Sequence, residues 1–218
     1  MSDESPSADP IQALQAQLVA ARRAQILDAA TRVFAEKGFT RATIRDVARA
    51  AGIADGTIYN YFANKDDLLI GLLDRLNDTA RRPASLAQAS QAPLAGSIRA
   101  YMRERVEALW PNADLFRAVL PELLANPDLR KRYYDEVIAP TMALGEGAFT
   151  ALMAGGVLRE LDPPLSMRIV AGSLLGVLVL QLLGDETLAA RWREIPDVLA
   201  DLLLPGLLAD APKGEDSH

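Results

Sequence analysis

The stretch that decides the fold is TIRDVARAAGIADGTIYNYF, which covers residues 43–62. Thr43 is placed to cap a helix, and Asp46 three residues later completes a capping box. Apolar residues then recur at helical spacing as far as Gly52, a residue type that ends a helix readily in the left-handed conformation. A second helix is expected over residues 55–62. The stretch therefore predicts two short helices joined by a tight turn, the helix-turn-helix unit.

The second helix has an unusual outward face. Helical spacing turns Ile58 and Phe62 inward. The residues left pointing outward are Ala54, Asp55, Gly56, Thr57, Tyr59, Asn60 and Tyr61. Hydroxyl and amide side chains at this density suit hydrogen bonds to phosphates and to base edges in the major groove. The competing interpretation is that any two short amphipathic helices joined at a glycine give a similar pattern.

The flanking sequence favours the DNA-binding interpretation. Residues 22–37 predict an amphipathic helix that Gly38 ends, and Phe39 is then placed to contact Phe34. After the helix-turn-helix, residues 64–67 (NKDD) cap a leucine-rich helix. Three helices and the start of a fourth fit a small DNA-binding head.

The pattern AAxxxFAEKGFxxATIRDVAxAAGIAxGTIYNYFxNKDDLL resembles the N-terminal domain of TetR/AcrR-type transcriptional repressors. The resemblance is dense over residues 20–75 and only architectural beyond them. It implies a homodimeric regulator that binds double-stranded DNA at a palindromic operator. It also implies a small-molecule-binding helical domain that controls the spacing of the two DNA-reading heads. Our hypothesis for the mechanism is that the effector displaces the helix after Leu68 and so splays the heads. An activator, or a DNA-binding protein of the same fold that has no effector, is the alternative.

The resemblance assigns DNA contacts to the matching positions. These are Thr43, Gly56, Thr57, Tyr59, Asn60, Tyr61 and Lys65. Arg45 and the outward-facing Ala54 and Asp55 complete the expected interface. The family usually has a serine or threonine where Ala54 stands, so a helix cap is missing here or has moved to Asp55. Asp55 would repel phosphate unless it caps the helix or accepts a hydrogen bond from cytosine N4.

Charge is divided unevenly along the chain. The whole sequence has a formal net charge of −6, which taken alone argues against nucleic acid. Residues 18–65, however, hold eight Lys/Arg and four acids, a net charge of +4, whereas residues 66–218 carry −7. A basic head on an acidic body suits a protein that grips DNA at one end. The alternative is that a +4 helical segment is ordinary surface chemistry.

Composition excludes several classes of protein. Cysteine is absent and the only histidine is His218, so we expect no disulfide framework, no metal site and no cofactor. We find no glycine-rich phosphate loop or nucleophile elbow and expect no enzymatic activity. Residues 1–10 are polar and acidic and carry no secretory signal, so the cytoplasm is the expected location.

Proline and glycine break the remaining chain into helices without a convincing strand, so the expected fold class is all-α, with eight or nine helices or more. The expected segments are a disordered or helical lead-in over 1–17, the DNA-binding head over 18–65, a helical effector-binding and dimerisation domain over 66–210, and a tail over 211–218. Helices of that domain are predicted over 94–110, 113–125, 127–153 with a bend at Pro140, 164–183 and 188–208. Residues 11–21 either extend the first helix backwards or form an arm beside the DNA.

Residues 169–183, IVAGSLLGVLVLQLL, are apolar nearly all round. A membrane span needs about 20 such residues, so we predict a packed helix and no membrane contact. With the last helix it could form half of a four-helix dimer interface, which is also where the resembled family dimerises. The residues expected at this interface are Ile169, Gly172, Gly176, Leu180, Val198 and Leu202. The alternative is a core helix of a monomer.

The middle helices offer large apolar and aromatic residues that could line an effector pocket. They are Met102, Trp110, Phe116, Tyr133, Tyr134, Met142, Phe149 and Met153. Plain core or surface packing explains each of them equally well. The expectation of a pocket therefore comes from the resemblance, and the chemistry of the effector does not follow from these residues beyond being lipophilic.

Overall fold

A computed structural model of the chain describes residues 10–77 and 94–209, and all regular elements in these ranges are helical. The α-helices are α1 Pro10–Lys37, α2 Ile44–Ala50, α3 Lys65–Asn77, α4 Leu94–Leu109, α5 Ala113–Ala125, α6 Pro127–Tyr133, α7 Ala139–Ala154, α8 Pro163–Leu182, α9 Glu186–Arg191 and α10 Ile195–Leu207. Shorter 3₁₀ helices cover Thr57–Asn60, Trp110–Asn112 and Trp192–Glu194, and a π-helical turn covers Tyr134–Ile138. The all-α prediction is confirmed.

The chain forms two compact units, Met1–Leu72 and Leu73–His218, which we call the head and the body. The division falls in the middle of α3, whereas the sequence predicted it after residue 65, where this helix begins. The reason is that Leu68, Leu69 and Leu72 are all fully buried, so the first turns of α3 complete the core of the head. The predicted tail over residues 211–218 lies outside the described residues.

The long first helix anchors the head. The apolar residues of its second half recur with helical period, and the ones that the sequence placed on one face are all buried: Ile26, Ala29, Ala30, Val33 and Phe34. Gly38 ends the helix at φ +75°, a conformation that favours glycine. The Phe34 and Phe39 rings then meet edge to face with centroids 5.2 Å apart, as the sequence predicted. Because α1 already begins at Pro10, residues 11–21 are a backward extension of this helix.

The body is built on two helix pairs. One pair is α4 with α10, where Arg99 bonds Asp201 at 2.5 Å and Arg103 lies 3.3 Å from Asp197. The other pair is α7 with α8. These two helices approach so closely at Gly145 that a Cβ atom there would lie 2.3 Å from the Met167 sulfur. Small residues thus set the spacing of this second pair.

The long helix predicted over residues 127–153 is interrupted. It begins at Pro127 as predicted but becomes a π-helical turn over Tyr134–Ile138 before α7 starts. Pro140 has no N–H, and its ring clashes with the carbonyl of Glu136 in a regular α-helix. A π-turn immediately before Pro140 widens the backbone at that point. The predicted bend is therefore present as a change of helix type.

The single helix predicted over residues 188–208 is wrong. The chain instead forms the short helix α9, a 3₁₀ turn and then α10. Arg191 leaves helical geometry with φ −118° and ψ 20°, and Pro196 lies in the first turn of α10. Proline is tolerated in a first turn because the N–H it lacks would have no partner there, so it favours a new helix start.

Candidate nucleic-acid interface

Helix α2 is held at its start by the predicted capping box. The backbone N–H of Asp46 donates to Thr43 Oγ1 at 3.1 Å, and the backbone N–H of Thr43 donates to Asp46 Oδ2 at 3.0 Å. Lys37 at the end of α1 donates to the same carboxylate at 2.7 Å. The Lys37 hydrogen bond and those from Thr43 lower the pKa of Asp46 from 3.8 to about 2. The box therefore joins α1 to α2 as well as capping α2.

The turn after α2 follows from its glycine. Gly52 has φ +66°, as the sequence predicted, and the N–H of Ile53 returns to Ala48 O at 3.0 Å. Gln25 on α1 donates to Ala51 O at 2.6 Å, which satisfies a carbonyl at the end of α2. This contact fixes the turn against α1 and thus the direction in which the chain leaves α2.

We call residues 54–62 the recognition segment. Its helical part is shorter than predicted. Its helical part is a 3₁₀ turn over Thr57–Asn60 that begins without a side-chain cap, and the prediction of a helix over 55–62 is wrong in length and type. Ala54 cannot cap because it has no side-chain acceptor, and Asp55 forms no cap hydrogen bond. Because the turn starts without a cap and Gly56 has a low helix propensity, the segment does not form a full α-helix.

The recognition segment presents its polar face outward, as predicted. Ile58 and Phe62 are buried at 0% and 3% exposure, whereas Tyr59 is 55% exposed. The other members divide by exposure: Ala54, Asp55, Gly56 and Asn60 are exposed, and Thr57 and Tyr61 are half-buried. The two inward residues therefore fix the segment to the core while Tyr59 and Asn60 remain available to a groove.

Side chains from neighbouring helices clamp the end of this segment. Arg23 on α1 donates to Tyr61 O at 2.7 Å, and its guanidinium lies 4.3 Å from the centre of the Phe62 ring. Gly71 on α3 approaches the same ring, and a Cβ atom there would lie 3.0 Å from it. The position of the segment is thus set from two helices. Sequence reasoning missed Arg23 and Gln25, because their acceptors are backbone carbonyls far away in sequence.

Lys65 is engaged inside the head. Its ammonium donates to the carbonyls of Phe39, Thr40 and Ala42 at 2.9, 3.3 and 3.2 Å and lies 4.4 Å from the Phe39 ring centre. An ammonium has three N–H donors, and three carbonyls accept them here. In this arrangement Lys65 holds the turn that leads into α2. The prediction that it also contacts DNA is untested.

One ion pair lies on the outward surface of the interface. Arg45 Nε is 3.6 Å from Asp55 Oδ2, and the two side chains are 81% and 60% exposed. Helix α2 supplies the cation and the recognition segment supplies the anion. The sequence placed both residues at the interface, but it did not predict that they pair with each other.

The residues predicted at the dimer interface lie on the surface of the single chain. Ile169 and Leu180 are 58% and 51% exposed on α8, and Val198 and Leu202 are 49% and 72% exposed on α10. Gly172 and Gly176 are exposed as well, with open space where a Cβ would stand. Of the twenty residues of α8, only Met167 and Leu178 are buried. The competing prediction, a core helix of a monomer, does not fit this exposure.

The residues predicted to line an effector pocket fall into different environments. Met102, Phe116 and Met142 are buried, whereas Tyr134 is 48% exposed. The remaining ones are half-buried: Trp110, Tyr133, Phe149 and Met153. Trp110 stacks on Trp192 with ring centroids 6.1 Å apart and packs against a buried cluster of α4 and α10. For Trp110 the packing role is therefore observed, and the pocket itself stays a prediction.

Residues 26–72, which contain the helix-turn-helix and the helices that hold it, match the family model described as bacterial regulatory proteins, tetR family. Over a longer span of 154 residues, the chain is 30% identical to the HTH-type transcriptional repressor KstR2 of Rhodococcus jostii, covering 68% of this chain and 74% of the relative. The chain belongs to the tetR family. This member of the tetR family is a DNA-binding transcriptional regulator.

Two further comparisons extend over both units of this tetR-family regulator. It is 25% identical over 171 residues to the fatty acid metabolism regulator protein of Bacillus subtilis, covering 74% of this chain and 84% of that protein. The solved structure of FadR from Bacillus subtilis in complex with stearoyl-CoA matches with a TM-score of 0.68 at 25% identity, over 84% of this chain and 97% of that chain. The likeness therefore includes the helical body as well as the head.

Proposed function

We propose that this regulator is a homodimeric cytoplasmic repressor that binds a palindromic operator and is released from it by a lipophilic effector. The observation that carries the proposal is the recognition segment, which is fixed to the head core by two buried residues and presents Tyr59 and Asn60 outward. Such an element is suited to reading base edges in the major groove.

Each part of the interface has a different role in this proposal. Tyr59 and Asn60 contact bases or phosphates, Arg45 and Asp55 stand beside them, and the half-buried Thr57 and Tyr61 approach the backbone at the edges of the segment. The exposed Ala54 and Gly56 let the DNA backbone come close. Thr43 acts through the capping box, and Lys65 acts by holding the turn before α2. Binding should weaken with salt, because neutralised phosphates release counterions.

The exposed apolar stripe of α8 supports the dimer. Residues Leu165, Ile169, Gly172, Gly176, Val179 and Leu183 recur at the spacing of one helix face, and all are exposed. Val198 and Leu202 on α10 add a second exposed apolar row. An uncovered apolar surface of this kind marks an interaction site, and the glycines permit close helix approach. A second copy of this chain buries the stripe and sets two recognition segments about 34–36 Å apart, or a multiple of that distance.

By length and composition alone, the helical stretches Pro127–Ala154 and Pro163–Leu182 could each cross a membrane. We assign the second of them to the dimer instead, because the relatives of this chain include an HTH-type transcriptional repressor and a DNA-reading head must reach the chromosome.

For the effector we propose a long-chain acyl compound, with acyl-CoA as the first candidate. The proposal is supported by the FadR relative, whose structure is a complex with stearoyl-CoA. A contact that could transmit binding lies at the end of α3, where Asn77 Nδ2 donates to Thr141 Oγ1 at 2.5 Å and Arg105 donates to Asn77 O at 2.8 Å. Ligand binding that moves α7 would be felt by α3 through this contact. The effector shifts the balance only by its differential affinity for the two states.

The experiment begins with selection of binding sites from random duplex DNA by the purified chain. We expect enrichment of a palindromic site, and Tyr59→Ala should weaken binding to that site by about 10-fold or more in fluorescence anisotropy. Tyr134→Ala, which removes an exposed tyrosine of the body, is the matched control and should leave the affinity unchanged. Failure to enrich any sequence would contradict the proposed function.

The effector is tested on the same complex. Stearoyl-CoA added to the operator complex should release the DNA, whereas free coenzyme A at equal concentration should not. If neither stearoyl-CoA nor any member of a lipophilic compound panel releases it, the effector-free alternative is supported. An in vitro transcription assay then separates repression from activation by the sign of the change in transcript.

A further inference from the structure

The Arg45–Asp55 pair is the unexplained feature of the interface. A carboxylate at a phosphate-rich surface is repelled, and Asp55 does not compensate by capping the recognition segment. It lies instead 3.6 Å from Arg45 Nε, and both side chains are more exposed than buried. An exposed ion pair of this kind contributes little to stability. Stability therefore does not account for the pair, and binding to a group of the DNA could.

The two side chains present donors and an acceptor next to each other. The guanidinium of Arg45 offers a fork of N–H donors, and the carboxylate of Asp55 only accepts. In the major groove a G·C base pair presents the reverse order: acceptors at guanine N7 and O6, followed by the N4 amino donor of cytosine. An A·T pair interrupts this order with an amino donor on adenine and an acceptor and a methyl group on thymine.

We propose that Arg45 and Asp55 act as one unit that selects a G·C base pair in each half-site of the operator. Arg45 donates to guanine O6 and N7, and Asp55 accepts from cytosine N4. This inference rests on the proposed function, which it deepens by naming a base pair. Elsewhere along DNA the carboxylate faces phosphates and base acceptors, with amino donors only at cytosine N4 and adenine N6, so Asp55 weakens non-specific binding and makes recognition more selective.

The variants that test this pair are chosen by the same rules of hydrogen bonding to base edges. Asn differs from Asp by one amide group and pairs with adenine N6 and N7, so Asp55→Asn should move the preference from G·C toward A·T at one position. Arg45→Met removes the N–H donors to guanine while keeping a side chain of similar length, and it should abolish the G·C preference. Glu36→Gln removes an equal charge from an exposed position on α1 and serves as the matched control.

The experiment first selects sites from random duplex DNA with the wild-type chain and with each variant. Fluorescence anisotropy at fixed salt then measures the affinity for the enriched site with each of the four base pairs at the selected position. Wild type should prefer G·C by about 10-fold over A·T. Asp55→Asn should reduce this ratio to about threefold or less, or reverse it, while its circular dichroism and melting stay unchanged. Glu36→Gln should keep the wild-type ratio.

Different outcomes separate this inference from the proposed function. If wild type enriches no sequence, the proposed function fails and this inference fails with it. If wild type enriches a palindrome but Asp55→Asn keeps the same base preferences, the proposed function stands and the inference is overturned. A uniform change in affinity for all four base pairs would mean that Asp55 only positions Arg45 or repels phosphate, and it also overturns the inference.

Discussion

In the head, the apolar residues of α1 between Ile26 and Phe34 are buried in the core, whereas in the body α8 leaves most of its apolar residues at the surface. Polar side chains differ as well. In the head, backbone carbonyls around the recognition segment accept hydrogen bonds from Arg23, Gln25 and Lys65. The difference is that the apolar residues of the head from Ile26 to Phe34 are buried within one chain, while the body leaves an apolar surface that we propose a second copy covers.

The largest expected effect breaks the closed core of the head. Phe34→Ala removes a fully buried ring that meets Phe39, and we expect the free energy of unfolding to fall by about 3–5 kcal/mol. Chemical denaturation followed by circular dichroism measures it. Val19→Ala, on the exposed lead-in of the same helix, should change stability by less than about 0.5 kcal/mol. Equal losses in the two variants would contradict the contrast between core and lead-in.

The next effect concerns the uncovered surface of the body. Ile169→Glu places a charge in the exposed stripe of α8, and the dimer dissociation constant measured by sedimentation should rise by about 30-fold or more. Leu124→Glu is the control, because Leu124 on α5 is similarly exposed at 63% and lies outside the stripe. Dimers of equal strength in both variants would remove the basis for assigning the stripe to a second copy.

A smaller effect separates two roles of Lys65. Lys65→Met keeps much of the aliphatic stem but leaves three carbonyls without their donor, so the head should lose about 1–3 kcal/mol of stability. Operator affinity should fall in parallel, because the turn before α2 loosens. Lys131→Met removes an exposed lysine of the body as control. If affinity falls while stability stays at the wild-type value, Lys65 binds phosphate directly and the positioning role is wrong.

The smallest effect is a dependence on pH. The pKa of Asp46 is lowered from 3.8 to about 2 by its hydrogen bonds with Lys37 and Thr43, so the ionised carboxylate stabilises the head above about pH 4. This contribution should be lost as the pH falls toward 2. Denaturation measured between these pH values should show a steeper loss in wild type than in Asp46→Asn. Asp114→Asn, which removes an exposed carboxylate of the body, should follow the wild-type slope.

Local chemistry made much of the head predictable. The capping box of Thr43 and Asp46 and the left-handed Gly38 and Gly52 are short-range features, and they appear where the sequence placed them. The missing cap at Ala54 was visible too, but its consequence, a 3₁₀ turn in place of a full helix, depends on how the segment packs. Propensity alone does not decide between those two helix types.

Other features could not be read from the sequence because they join distant residues. Lys65 reaches carbonyls of residues 39–42, and Arg23 reaches Tyr61, so no local pattern signals either contact. The sequence did not predict that the last helix is divided in two. Pro196 is compatible both with a kink inside one helix and with the start of a new helix. The sequence also contained no signal that Arg45 and Asp55 pair with each other, since they belong to different elements.

The unbroken course of α1 from Pro10 gives the head a built-in lever arm. Residues 11–21 are exposed along this helix and precede the contacts of Arg23 and Gln25, and at roughly 1.5 Å per residue they extend about 16 Å beyond the packed portion. A small rotation of the head would sweep the tip of that arm through a much larger displacement. Because the sequence contains no cysteine, Gln15→Cys would offer a unique attachment point for a spin label. Electron-spin distance measurements between two such tips would then record head movements in the proposed dimer in magnified form.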